Sequence, residues 1–272
     1  MTITLTKHHA LGNDFLVVFH PDVDSTRLPD LARQWCDRRR GIGADGLLIG
    51  ESAEGYAAQM VLYNADGSRA EMSGNGIRCF AQALAMRRGD LTDQRILTDA
   101  GERLITLEVT DDAATILAAV DMGPVEQLGE PDGWGVLGCH PDRPVSHLSL
   151  GNPHSVVGVD DVDEVDLAGL GAKVPHVNLE VVAPGTAPDE VRMRVHERGV
   201  GITEACGTGA AATAFAAARW GLATPRDGKL TVVMDGGRAT VTLDAPAPGR
   251  VTLTGPATYV ASVTVPLRDP TP

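Results

Sequence analysis

Lysine is nearly absent from this chain. It occurs three times, as Lys7, Lys173 and Lys229. None of them sits in a phosphate-cradling loop, which argues against a pyridoxal-phosphate Schiff base. Basic charge as a whole is scarce: 23 Lys and Arg stand against 36 Asp and Glu, for a formal net charge of −13. Such an acidic balance argues against nucleic acid and anionic membranes as partners. No apolar run reaches the roughly 18 residues that a membrane span needs, and no basic-then-apolar segment of the secretory kind opens the sequence. The four cysteines, Cys36, Cys79, Cys139 and Cys206, include no C-x-x-C pair. They read as reduced thiols of a cytoplasmic protein, not as zinc ligands or a disulfide framework.

What the chain does have is a repeat. Residues 70–85 read AEMSGNGIRCFAQALA and residues 203–218 read TEACGTGAAATAFAAA. Each copy sets a Glu two residues ahead of a small residue, Ser73 or Cys206, followed by Gly-x-Gly and an Ala-rich helical stretch. Leu11-Gly12-Asn13-Asp14 is answered by Leu150-Gly151-Asn152-Pro153, and Thr98-Asp99-Ala100-Gly101 by Met234-Asp235-Gly236-Gly237. The offsets are 139 (Leu11 to Leu150), 133 (Ser73 to Cys206) and 136 (Asp99 to Asp235). Near-constant offsets argue for a duplicated unit, and two copies are too few for a solenoid. With 272 residues, 43% of them hydrophobic, the chain can bury two cores. The expected halves are 1–121 plus 262–272, and 122–261, with the switch near Met122-Gly123-Pro124.

The hydrophobic pattern predicts helices over 28–40, 77–88 and 210–220, the last two buried. Strands are expected near 2–7, 15–19, 46–50, 58–63, 95–98, 103–109 and 114–120. In the second half they are expected near 145–150, 154–159, 177–183, 190–196, 230–234, 238–243, 250–254 and 257–265. Segments 130–143 and 183–189 read as loops. The fold class is mixed α/β, with a strand layer around one buried helix per half.

Two such turns facing each other would put a proton-handling side chain on each side of a small substrate. Inverting a weakly acidic carbon centre needs a base on one face and an acid on the other. A thiol suits this, because a helix N-terminus can bring its pKa down toward 7. The N–H groups of Gly74, Asn75 and Gly76, and of Gly207, Thr208 and Gly209, could hold a carboxylate as charge builds on it. Taken singly, Ser73 is an N-cap and Cys206 a buried apolar residue. Their place in matched repeats makes Cys206 the stronger candidate and leaves Ser73 open. Cys79 reads as core. Asn13, Asn64, Asn152 and Asn178 alone could be turn formers, Glu197-Arg198 a surface ion pair at a strand tip, and His154 a satisfied strand histidine.

Seven ordered segments then carry a resemblance over essentially the whole chain: Leu11–Phe15, Gly41–Gly46, Asn64–Ser68, Gly74–Cys79, Gly151–His154, Glu197–Gly201 and Ala205–Gly209. Together they resemble the diaminopimelate epimerase family. The resemblance implies two pseudo-symmetric α/β domains, each a mixed sheet or barrel wrapped around a central helix, with the substrate in the cleft between them. It implies conversion of L,L- to meso-diaminopimelate for lysine and cell-wall synthesis, without cofactor or metal. The partner is then a small molecule, with a homodimer as the candidate assembly. It assigns acid–base roles to Cys206 and to the position of Ser73, with Glu197 holding the reacting amino group and His154 at the edge of the site. Substrate contacts fall on Asn13, Asn64, Gly74, Asn75, Asn152, Asn178, Gly207 and Thr208, and Arg198 reads the distal carboxylate.

Three departures stand out. Ser73 replaces the family's first cysteine, Ile202 stands where Glu is frequent, and Gly46 carries no side chain. Ser73 is open to three readings: an introduced Cys→Ser change, a natural variant working with serine or water, or a shift to another amino acid or to one-base elimination. A catalytically weak amino-acid-binding homologue is the non-enzymatic alternative.

Overall fold

The computed structural model describes residues 2–267; positions 268–272, expected to belong with the first half, lie outside the described residues. The chain forms two compact units. One runs to Ala118 and resumes at Pro256, and the other is Ala119–Gly255.

In the first unit, Thr2–Ala10 pairs antiparallel with Asn13–Phe19, which runs parallel to Gly46–Glu51. Gly46–Glu51 pairs antiparallel with Ala58–Asn64, and that strand takes Gln94–Thr98 in parallel and the short Arg69–Ala70 antiparallel. Gln94–Thr98 closes an antiparallel pair with Gly101–Val109. The second unit repeats this order pair for pair. Val145–Ser149 is antiparallel to Pro153–Gly158, which is parallel to Asn178–Pro184, itself antiparallel to Glu190–Glu197. Glu190–Glu197 takes Gly201–Thr203 antiparallel and Lys229–Met234 in parallel, and the latter pairs antiparallel with Gly237–Leu243. The helices repeat as well: α1 (Leu28–Cys36) and α2 (Gly74–Arg88) are answered by α3 (Leu167–Gly171) and α4 (Gly207–Trp220).

Both faces of the first sheet are covered. Leu28, Leu31, Ala32, Trp35 and Cys36 of α1 pack on Leu16, Val18, Leu47 and Ile49, while α2 lies against strands Thr2–Ala10, Asn13–Phe19, Gly46–Glu51 and Ala58–Asn64. Strand side chains alternate faces, so a sheet covered on both sides reads as a continuous apolar run, as in Gly46–Gly50. The helices within the two units are buried along most of their length, from Gly74 to Ala85 and from Gly207 to Ala214. Gly89 (φ 75°) and Gly221 (φ 71°) end them in the left-handed conformation that glycine adopts without strain.

Several elements differ from the sequence expectation. Both buried helices start three residues early, at Gly74 and Gly207, because the side chain ahead of each turn caps it by accepting one of its first N–H groups. Helix α1 stops at Cys36, where the Asp37 carboxylate accepts from the Arg39 and Arg40 N–H groups and turns the chain. The last two expected strands are one, Arg250–Pro266, running through Gly255-Pro256. Within 130–143 a 3₁₀ turn, Trp134–Leu137, buries Trp134.

His8 ties α2 to the first sheet. It is fully buried, with Nδ1 2.8 Å from Gln82 Oε1 and Nε2 2.9 Å from Thr6 Oγ1. Burial lowers its pKa from 6.5 to about 4, against the opposing hydrogen bond to Gln82. Above pH 6.5 His8 is neutral in both the folded and the unfolded chain. Between 6.5 and about 4 the unfolded chain takes up a proton that the folded chain refuses, so stability falls. Urea titrations across that window should show a loss of the order of 3 kcal/mol that His8→Gln removes. An unchanged pH profile in His8→Gln would show that the loss belongs to other groups.

Candidate active site

In the first unit, Ser73 caps α2 with extended backbone (φ −137°, ψ 121°), and its Oγ accepts from Gly76 N–H at 3.0 Å. Gly76 is packed tightly against the cap, since a Cβ there would lie 3.0 Å from Ser73 Cβ and would have to push it aside. Asn75, buried beside the cap, donates from Nδ2 to Asn13 Oδ1 at 3.2 Å. Asn13 donates in turn to Asp45 Oδ2 at 2.7 Å. Asp45 belongs to a charged cluster in which Arg38 bridges Asp45 and Asp14 while Lys7 reaches Asp14 at 2.9 Å. Burial opposes ionisation of Asp14, but the hydrogen bonds from Arg38 and Lys7 outweigh it and hold the carboxyl below its usual range. The Leu11–Phe15 and Gly41–Gly46 segments are thereby locked together and Asn13 is fixed. Asn64 lies in the neighbouring turn, donating to Ser68 Oγ at 3.0 Å.

Arg78 was not singled out from sequence, yet it is fully buried one turn into α2. Its guanidinium donates to Gly74 O at 3.0 Å, Asn75 Oδ1 at 2.7 Å and Pro256 O at 3.3 Å. All three acceptors are neutral, and burial brings its pKa down to about 10, so it stays charged at neutral pH. A lone charge inside an Ala-rich buried helix was the available signal.

In the second unit, Cys206 caps α4 in the same way (φ −127°, ψ 115°), with Gly209 N–H pointing at Sγ from 3.4 Å and Thr208 Oγ1 at 3.5 Å. Thr208 accepts from Asn152 Nδ2 at 3.2 Å, and Asn152 Oδ1 lies 3.0 Å from His154 Nε2. His154 Nδ1 meets Glu180 Oε1 at 2.6 Å, with both side chains wholly buried. Asn178 uses both ends of its amide internally, donating to Pro153 O and accepting from Arg198 N–H. It thus holds the backbone that presents Arg198, whose side chain is exposed. Glu197 accepts from Thr203 Oγ1 at 2.5 Å. Glu180 was also missed, because every residue from Asn178 to Ala183 is buried and no alternation marks it.

The structure overturns the expected acid shift of the Cys206 thiol. Burial pushes the thiol well up, the Glu197 and Glu180 carboxyls act in the same direction, and the hydrogen bonds with Thr208 and the Gly209 N–H only partly oppose them. Argument from the helix end counts only the local N–H groups; the carboxyls arrive on neighbouring strands. Burial likewise pushes Cys36 and Cys79 up to about 12, while Cys139 is partly exposed. Since the thiolate is the reactive form, brief iodoacetamide treatment at about pH 8 should label Cys139 first. Labelling of Cys206 should rise only in more alkaline buffer, as read by peptide mass spectrometry. Fast Cys206 labelling at neutral pH would contradict this electrostatic picture.

Among the described residues no group of three or more His, Cys, Asp or Glu could hold a metal ion. The family model described as diaminopimelate epimerase matches residues 5–128 and 147–260. A diaminopimelate epimerase of Magnetococcus marinus is 41% identical over 93% of this chain and 94% of its own. One from Thermosynechococcus vestitus is 39% identical over 98% of this chain and 100% of its own. Among solved structures, a Bacillus anthracis phenazine biosynthesis protein of the PhzF family superposes with a TM-score of 0.76 at 17% identity, covering 98% of this chain and all of that one. A hydroxyproline epimerase of Agrobacterium vitis does so with 0.71 at 16%, covering 99% and 94%. These two likenesses show a shared fold. With its family model matched over both units and its relatives aligned almost end to end, the chain belongs to the diaminopimelate epimerase family.

Proposed function

We propose that this protein is a cofactor-independent isomerase that interconverts L,L- and meso-diaminopimelate by proton transfer at the α-carbon, in lysine and cell-wall precursor synthesis. The family membership supports the substrate. The observation that carries the chemistry is the matched pair of caps: a hydroxyl and a thiol, each at the first turn of a buried helix, each accepting a glycine N–H. Helix starts of this kind suit a carboxylate, and here a proton-handling atom lies beside each one.

Within this reading Glu197 takes the reacting ammonium and Arg198 the distal carboxylate. His154, Asn13, Asn64, Asn75 and Asn152 arrange the remaining contacts, and Asn178 acts through the Arg198 backbone. An ammonium at Glu197 neutralises one of the charges that hold Cys206 protonated. The thiolate then becomes accessible when substrate is present, so that Cys206 handles the proton on one face of the α-carbon. Ser73 serves the other face. With its Oγ already accepting from Gly76, its own hydrogen remains available to give. A hydroxyl is a far weaker acid than a thiol, so at neutral pH almost no alkoxide is present to take the α-proton, and this face is the slower one. The proposal includes a cytoplasmic homodimer; all four cysteines are free thiols, as suits a reducing compartment, and sedimentation equilibrium reads the assembly.

Replacing Ser73 by Cys tests the assignment. A positioned acid–base group contributes about 10²–10⁴ in rate, so Ser73→Cys should raise epimerisation of L,L-diaminopimelate by about that factor. KM should barely change, because the Gly74, Asn75 and Gly76 N–H groups remain in place. An unchanged or lower turnover would mean that serine is native to a different chemistry, such as one-base elimination, and the two-base reading would fail.

A further inference from the structure

Glu180 is the most unusual side chain of the second unit. It is wholly buried, its Oε1 contacts His154 Nδ1 at 2.6 Å, and its Oε2 is buried with no hydrogen-bond partner. It stands directly against the start of α4. A Cβ on Gly209 would lie 2.7 Å from Glu180 Oε1 and 3.2 Å from Cys206 Sγ. Glycine at 209 is what lets the carboxyl and the sulfur share this corner.

The hydrogen-bond partners fix where the protons are. Asn152 gives its amide N–H to Thr208 Oγ1, so its oxygen faces His154 Nε2, which must carry a hydrogen. One proton then lies between His154 Nδ1 and Glu180 Oε1. An ionised Glu180 would leave a charged oxygen buried without a donor, which is strongly unfavourable. Burial also moves Glu180 toward its protonated form, against the opposing pull of His154. The proton therefore belongs to Glu180.

We propose that Glu180 is a protonated, proton-donating positioning residue: by donating to His154 Nδ1 it fixes the direction of the chain His154–Asn152–Thr208, so that the Thr208 hydroxyl donates toward the Cys206 sulfur. With Thr208 Oγ1 already accepting from Asn152, its hydrogen is free for Sγ at 3.5 Å. Were His154 to carry its hydrogen on Nδ1 instead, Asn152 would turn over, the Thr208 hydrogen would go to Asn152, and the sulfur would lose its donor. Among the charged groups nearby, this leaves the Glu197 carboxylate as the one acting on both Glu180 and Cys206. The inference rests on Cys206 being the proton-handling atom of this half, but its readouts need no turnover.

The test compares Glu180→Gln with Glu180→Leu in the full-length protein. A Gln amide N–H can donate to Nδ1 as the carboxylic acid does; Leu cannot. Nitrogen-15 NMR of labelled histidine should show His154 protonated at Nε2 in the parent and in Glu180→Gln, and a changed tautomer in Glu180→Leu. The pH dependence of Cys206 alkylation should coincide for the parent and Glu180→Gln and move alkaline in Glu180→Leu, with about a tenfold slower reaction at fixed pH. If Glu180→Gln behaves like Glu180→Leu, the carboxyl acts as an anion and the proposal is wrong. If Glu180→Leu keeps both the parent tautomer and the parent alkylation curve, Glu180 only fills space. Should Glu180→Leu fail to fold, Glu180→Gln alone decides: a His154 carrying its hydrogen on Nδ1 overturns the proposal, and one protonated at Nε2 upholds it.

Discussion

A helix that begins inside a protein leaves its first N–H groups without partners, and the rest of this molecule is organised around that constraint. Both α2 and α4 start in buried surroundings, and each meets the need with one side chain, Ser73 or Cys206, and two glycines. The cap uses only one N–H. In the proposed reading, this structural solution to a buried helix end also serves as an anion site with a reactive group at its edge. Duplication of the unit supplies it twice.

The two copies have been tuned in opposite electrical directions. Around Ser73 the added buried charge is positive: Arg78, held by neutral acceptors within one turn of the cap. Around Cys206 the charge is the half-buried Glu197 carboxylate on the strand tip, with Glu180, which burial moves toward its protonated form, against Gly209. The positive copy favours an anion and makes a hydroxyl a better proton donor. The carboxyl-lined copy holds the thiol protonated, and in the proposed mechanism it does so until an ammonium arrives. An amino acid with an α-carboxylate and an α-ammonium matches this pairing of preferences, and so does a reaction in which the thiol must change its charge state with substrate.

Much of this was legible in the sequence because the duplication is. The Gly-x-Gly turns, the Ala-rich helices and the matched Asn13 and Asn152 segments show the repeat directly, and the strand pairings follow the same order in both units. Helix α3, only Leu167–Gly171, escaped because five residues with two glycines give no helical period. Glu180 escaped because a strand buried on both faces has no polar side against which a misplaced carboxyl stands out. The Cys206 shift runs opposite to the sequence expectation because a helix end is visible in sequence, while burial and carboxyls folded in from other strands are not. The tie that Asn178 makes is likewise hidden: its residue type suggests a turn former and the family resemblance a substrate contact, while both ends of its amide hold the chain at Pro153 and Arg198.

The central claim is that a thiol and a hydroxyl divide the two faces of one carbon. It is tested most directly by incubating the protein in deuterated water with L,L- and with meso-diaminopimelate in separate reactions, following Cα deuterium and configuration together. The two-face assignment requires solvent deuterium at Cα, entering one stereoisomer faster than that isomer inverts, because Cys206 exchanges on its own face more readily than Ser73 completes the inversion. Binding of both isomers with no deuterium incorporated into either would contradict it and leave a protein that binds the amino acid without turning it over.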